Sequence, residues 1–202
     1  MIRSLTTRLL HLLLAAAIVH QLVITAFMHR PSHSHHGGNL AYAFHQDVGL
    51  ASIAILLGFW LWAFIRHREH GIAALVPWFS RRRRKAVFDD LLRHLHHLRS
   101  GDLPHPEGDT PLATAIHGLG LLVATAMALS GGAIYVMLGP TGQMTAAGHA
   151  VLFLHSSLAN LMWAYLIGHA SLAVIHEAIG HPVFPKMFST HTPKLENKTC
   201  NS

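Results

Sequence analysis

The sequence predicts an all-α membrane protein that folds as an up-down bundle of four transmembrane helices. Of its 202 residues, 51% are hydrophobic and only 12% are charged, about half the charge of an ordinary soluble domain. Four stretches are long, apolar and nearly free of charge, at roughly 5–28, 40–65, 111–138 and 147–176. Each exceeds the ~20 residues that a helix needs to cross a bilayer core. Short loops join the first stretch to the second and the third to the fourth, so we expect these neighbours to pack antiparallel.

The distribution of Lys and Arg predicts the orientation of the bundle. Fourteen of these residues lie in the N-terminal segment, in the 66–110 connection and in the C-terminal tail, whereas the short loops 29–39 and 139–146 contain only Arg30. By the positive-inside rule, both termini and the 66–110 connection are cytoplasmic and the two short loops face outward. The sequence pI of about 10.1 then reflects topology and attraction to anionic membrane lipid, and we expect no nucleic-acid partner.

We expect residues 1–185 to form one transmembrane domain and residues 186–202 to form a mobile C-terminal tail. The first stretch begins like a signal peptide, but its apolar run is longer than a signal h-region, so we expect it to remain as a span. Within the connection, an amphipathic helix is expected from Lys85 to Leu98, lying on the membrane surface. The single cysteine, Cys200, excludes an iron–sulfur cluster and covalent haem attachment.

Four histidines in or at the edge of the spans fall into two pairs of equal depth. His155 and His169 are fourteen residues apart, which returns within about 40° of the same helix face and rises about 21 Å. His11 lies near the cytoplasmic start of the first span, at the depth of His169. His45 lies near the outer start of the second span, at the depth of His155. The sequence therefore predicts the pairs His11–His169 and His45–His155.

Two imidazoles at equal depth on facing helices suit a planar haem between them. Two axial histidines fill both iron positions, which favours electron transfer over oxygen binding. We therefore expect two non-covalent b-type haems with bis-histidine ligation. Small residues lie near these histidines, and we expect them to let a bulky ring approach the backbone. They are Gly49, Ala159, Gly168 and Ala173.

Three other histidines in or near the spans have open or lesser roles. His20 lies nine residues after His11, about 180° around the helix, so it is expected to make an interhelix hydrogen bond rather than serve the same haem. His117 and His176 lie at the cytoplasmic edge. These two residues fit two roles equally well. They could contact a quinone or a haem propionate, or they could lie among the lipid headgroups.

Three segments resemble the bacterial cytochrome b561 family. The segment from His155 to His176 reads HSSLANLMWAYLIGHASLAVIH and resembles the last helix of that family. The segment Thr7–His11 (TRLLH) is similar to its R-x-x-H opening, and His45–Gly49 (HQDVG) to its H-x-x-x-G pattern. The resemblance extends to the b-type cytochromes that serve hydrogenases and other dehydrogenases.

This resemblance implies a function in the bacterial cytoplasmic (inner) membrane. It implies a four-helix bundle with two b haems, whose iron ligands are His11, His169, His45 and His155. It also implies electron transfer between the quinone pool and an outer-face partner, such as a periplasmic dehydrogenase, a c-type cytochrome or a small redox molecule. Whether the chain is an electron-transfer subunit or itself a quinone oxidoreductase stays open.

Two alternatives rest on histidine clusters outside the spans. The loop HSHHGG contains His33, His35 and His36, whose imidazoles can bind zinc, nickel or copper, as in a metal-ion transporter. The same loop with HLHH at 94–97 resembles the histidine boxes of a di-iron oxidase, but the predicted topology puts the two on opposite sides of the membrane. We expect His33, His35 and His36 to be dispensable for haem binding, because a flexible loop does not present a fixed ligand.

Overall fold

The computed structural model describes residues 4–31, 38–65, 75–100, 110–139 and 142–178. The described residues include several long α-helices. They are α1 (Leu5–Ile24), α2 (Leu40–Ile65), α3 (Arg81–Ser100), α4 (Pro111–Met137) and α5 (Ala146–Ala178). Short 3-10 turns follow α1 at Thr25–Phe27 and precede α3 at Pro77–Phe79. The outer-loop histidines at 33, 35 and 36 and the tail 186–202 lie outside the described residues.

The four helices α1, α2, α4 and α5 are each long and apolar enough to cross a membrane. The predicted all-α, four-span architecture is thus confirmed. Many large apolar side chains point away from the bundle, such as Val136 (83% exposed) and Phe153 (76% exposed). In a bilayer these side chains contact lipid tails, which are as apolar as they are, so their exposure carries no cost.

The core of the bundle lies at mid-height, where all four spanning helices contribute a side chain. Its buried members include Leu14 of α1, Leu56 of α2, Leu121 of α4 and Met162 of α5, which is only 1% exposed. Close packing joins α1 to α2, α2 to α4 and α4 to α5. In the part of the chain that the structure describes, α5 does not pack as closely against α1 or α2. Cavities lie between those less closely packed helices.

The start of α4 is capped from two sides. Pro111 occupies the first turn, where its missing N–H costs nothing, and Thr110 Oγ1 accepts the N–H of Ala113 at 3.2 Å. From α3, Asp90 Oδ2 accepts the N–H of Leu112 at 3.0 Å. Asp90 is only 2% exposed. A carboxylate is stabilised at this position because a helix N-terminus carries partial positive charge.

The amphipathic helix of the connection differs from the prediction in its start and its attachment. It begins at Arg81 rather than Lys85, so the four-arginine run is part of the helix. Its polar side docks on α4 through Asp90, which also accepts a hydrogen bond from Arg93 at 3.1 Å. On the apolar stripe, Phe88 and Leu92 remain exposed. Contact of this stripe with the membrane surface stays a prediction.

Candidate functional site

The structure brings His11 of α1 and His169 of α5 together at one end of the bundle. Their ring centres lie 6.4 Å apart and the ring planes are tilted by 51°. A cavity of about 150 Å³ adjoins both rings. Its wall is mainly apolar, and includes Leu14, Phe59 and Leu166. We call this space the inner cavity.

His45 of α2 and His155 of α5 meet in the same way at the other end. Their ring centres are 6.3 Å apart, with the ring planes nearly perpendicular at 88°. A larger cavity, of about 410 Å³, adjoins them. Its wall carries more polar groups than that of the inner cavity, among them Arg30, Tyr42 and Gln46. We call this space the outer cavity, after the predicted orientation of the bundle.

Both ring separations match what ligation of one iron from two sides requires. A metal–imidazole bond is about 2 Å long and the ligating nitrogen lies about 1 Å from its ring centre, so two such rings are centred roughly 6 Å apart. The separations of 6.4 Å for His11–His169 and 6.3 Å for His45–His155 agree with that distance. The residues present therefore fit two bis-histidine haems.

The ring of His155 is held in place by a hydroxyl group of α4. Ser130 of α4 donates its hydroxyl hydrogen to the carbonyl oxygen of Ala126 at 2.8 Å. The same hydroxyl oxygen lies 2.9 Å from Nδ1 of His155 and 3.1 Å from the carbonyl oxygen of Met127. When the hydroxyl accepts an N–H from Nδ1, the Nε2 lone pair of His155 is available for a metal. Hydrogen bonds of this kind orient histidine ligands and increase their basicity.

His45 is fixed to α1 through its backbone. Its carbonyl oxygen accepts a hydrogen bond from Gln21 Nε2 of α1 at 2.8 Å. Its Nδ1 is buried and has no hydrogen-bond partner among the described residues. A buried polar atom left without a partner is costly, which is consistent with a site built to hold a further group.

A third imidazole, that of His117 on α4, lies at the inner cavity. Its ring centre is 5.2 Å from that of His169 and the two planes are nearly perpendicular, at 84°. This separation is shorter than two-sided ligation of one iron requires. The Nδ1 of His117 is also engaged by the carbonyl oxygen of Ala113 at 2.7 Å. His117 therefore fits a supporting group better than a ligand.

Tyr165 completes the inner site and was missed by the sequence argument. Its ring stacks on that of His169, with centres 5.5 Å apart and planes within 11°. Gly120 of α4 makes this position available, since an added Cβ would lie 2.3 Å from the Tyr165 hydroxyl oxygen. The four-residue spacing from Tyr165 to His169 on one helix face was the available signal.

The small residues named from the sequence play unequal parts. Gly49 and Ala159 line the outer cavity, and Gly49 also makes room for Gln21, whose Nε2 lies 2.9 Å from an added Cβ. Gly168 was expected near a ring, but no heavy atom lies within 4 Å of its added Cβ. Gly131, which sequence reasoning missed, is the glycine whose added Cβ approaches His155, at 3.2 Å from Cε1.

Other histidines of the described chain do not assemble into a third site. The Nδ1 of His20 is buried and makes no hydrogen bond with described residues, so the interhelix bond expected for it is not seen at this atom. His94 Nδ1 lies 2.8 Å from the carbonyl oxygen of Asp90. In these segments, no group of three His, Cys, Asp or Glu side chains is arranged to hold a metal ion.

Comparison with known proteins identifies the family of this bundle. A family model described as prokaryotic cytochrome b561 matches residues 2–190. Neither the curated proteins nor the solved structures give a match. The family match covers nearly the whole chain. The chain therefore belongs to the prokaryotic cytochrome b561 family, which implies electron transfer by haem b in a membrane.

Proposed function

We propose that this chain is a di-haem b-type cytochrome that carries electrons between an outer-face partner and the quinone pool. His45 and His155 would hold the outer haem, and His11 and His169 the inner haem. The observation that carries the proposal is the presence of two imidazole pairs with ring centres 6.3 and 6.4 Å apart. One helix, α5, contributes to both pairs and sets their separation across the membrane.

The chain's residues bind, orient and shield the two groups. When bound, each haem supplies a one-electron iron couple, and two axial histidines leave no iron position for a substrate. Ser130 holds the ring of His155, and Tyr165 stacks on that of His169. Apolar side chains around the pairs exclude water and lower the local dielectric, which is one way a protein tunes a haem potential.

Met162 separates the two sites along α5. It lies seven residues from both His155 and His169, and it lines the inner cavity on one side and a small space beside His45 and His155 on the other. With Leu14 and Leu121 it fills mid-height of the bundle. Because these side chains fill the space between the two sites, each site would hold its own haem. An electron can cross this packed region without a water-filled passage.

The charge distribution supports the proposed orientation. The arginines at 81–84 and Lys85 are all exposed on α3, which packs beside the N-terminal end of α4. Loops rich in Lys and Arg stay on the cytoplasmic side. The His11–His169 pair would then lie toward the cytoplasm and the His45–His155 pair toward the outer face, with both termini inside.

The test is electron transfer in purified protein reconstituted into liposomes. A quinol should reduce both haems, and an outer-face donor or acceptor should exchange electrons with the outer haem first. His45→Ala should abolish exchange at the outer face, and His11→Ala should remove the inner haem. The matched control is His20→Ala on the same helix as His11, which should keep both haems. A wild-type protein that binds two haems but does not react with quinol would refute the quinone link.

A further inference from the structure

The base of the first outer loop is closed by Asn39. Its Oδ1 accepts the backbone N–H groups of His29 and Tyr42, both at 3.0 Å. Its Nδ2 donates to the carbonyl oxygen of Phe27 at 2.8 Å, and its own N–H donates to the carbonyl oxygen of His29 at 3.1 Å. These four bonds tie the segment after α1 to the first turn of α2.

Gly38 permits this closure. Its φ is +73°, a region that residues with a side chain rarely adopt. An added Cβ would also lie 2.8 Å from both the carbonyl oxygen of His29 and a ring carbon of Tyr42. The backbone at the two ends of the loop is thus held in one place.

Arg30 follows this closed base directly and lines the outer cavity. The wall of the same cavity carries Tyr42, His45 and His155. The described residues lining the cavity include no Asp and no Glu. Arg30 is thus an exposed cation in the wall of the outer cavity, and the described lining residues provide no carboxylate to pair with it.

We propose that Arg30 binds a carboxylate of the outer haem. This inference rests on the proposed function, since it requires a haem between His45 and His155. A b haem carries two carboxylates on one edge, and an arginine pairs with a carboxylate through two parallel hydrogen bonds. Arg30 is the only Lys or Arg in the two outer loops, 29–39 and 139–146. No other Lys or Arg of these loops can therefore make this pairing.

Two physical consequences distinguish this role from loop stability. A positive charge near the iron favours the reduced state, which carries one positive charge fewer. Loss of the Arg30 charge should therefore shift the midpoint potential of the outer haem to more negative values. Lysine keeps the positive charge but lacks the paired N–H donors of arginine. Arg30→Lys should therefore leave the midpoint potential of the outer haem close to the wild-type value, while changing the vibrational frequency of the haem carboxylate.

The experiment compares the holoprotein with Arg30→Gln and Arg30→Lys. The outer haem is identified as the component that His45→Ala removes from a redox titration. Infrared redox-difference spectra are recorded with haem carrying ¹³C in its carboxyl groups, so that label-sensitive bands report the carboxylates alone. The matched control is Arg82→Gln, which removes an exposed arginine from α3, away from the cavity.

The expected result is a negative shift of the outer potential in Arg30→Gln and a shift of one label-sensitive band in both Arg30 variants. Arg82→Gln should show neither change. Unchanged bands in Arg30→Gln overturn the proposal, even if the potential moves, because the charge then acts at a distance. Equal changes in Arg82→Gln overturn it as well. Failure of the proposed function would be distinct: the wild-type protein would lack the outer haem itself.

Discussion

The hydroxyl oxygen of Ser130 lies 2.9 Å from Nδ1 of His155 and 2.8 Å from the Ala126 carbonyl oxygen. One small side chain on α4 therefore connects the backbone of its own helix to the ring of a histidine on α5. Groups that hydrogen-bond a metal-binding histidine affect metal affinity because they orient the ring and set its basicity. Ser130 is thus the clearest support for His155 as an iron ligand.

Replacement of Ser130 should weaken the outer site and leave the inner one intact. Loss of such a supporting bond typically lowers the affinity about 10–100-fold. Ser130→Ala should therefore release the outer haem at a concentration of competing ligand that is lower than for the wild type by the same factor. Haem occupancy measured by absorbance during the competition checks this. Ser157→Ala is the control, because that hydroxyl bonds its own helix at Phe153 and is exposed. Equal weakening in both variants would contradict the assignment.

His117 should be dispensable for holding the inner haem. Its ring lies 5.2 Å from that of His169, too close for one iron between them, whereas His11 lies at 6.4 Å. His117→Ala should therefore keep two haems per chain, with only a change in the potential of the inner one. His11→Ala should lose the inner haem. A protein that loses this haem with His117→Ala but keeps it with His11→Ala would reverse the assignment.

Asp90 should contribute to stability through the start of α4. Asp90→Ala leaves the part-buried N–H of Leu112 without its acceptor, and a typical hydrogen bond contributes about 0.5–1.5 kcal/mol to stability. The measurement is the midpoint of thermal unfolding in detergent, which should fall. The neighbouring Asp89 is exposed on the same helix, so Asp89→Ala should leave the midpoint nearly unchanged. A comparable loss in both variants would show that the effect is not specific to the cap.

The outer-loop histidines should not be haem ligands. Changing His33, His35 and His36 together to Gln should leave both haem bands unchanged, because both pairs of imidazoles are complete without them. The absorbance spectrum of the reduced protein checks this. A lost or shifted band would mean that the loop reaches a haem, and the pairing proposed for the outer site would need revision.

The periodicity of single helices predicted much of the site, and contacts between helices account for the rest. The spacing of His155 and His169, with the direction of each span, was enough to match His11 with His169 and His45 with His155 in depth. Ser130 and Asp90 were missed because their roles depend on how α4 is rotated toward α5 and α3. Gly168 was overestimated for the same reason: sequence spacing does not tell which face of a helix meets a neighbour.

The central claim is that two separate pairs of histidines hold two haems. Haem per chain, measured by the pyridine haemochrome assay on purified protein, tests it most directly. The account predicts two haems in the wild type and one in each single Ala variant of the four histidines. His45→Ala and His155→Ala should leave the same residual spectrum, and His11→Ala and His169→Ala should leave the other. One haem per wild-type chain, or one common residual spectrum for all four variants, would contradict it.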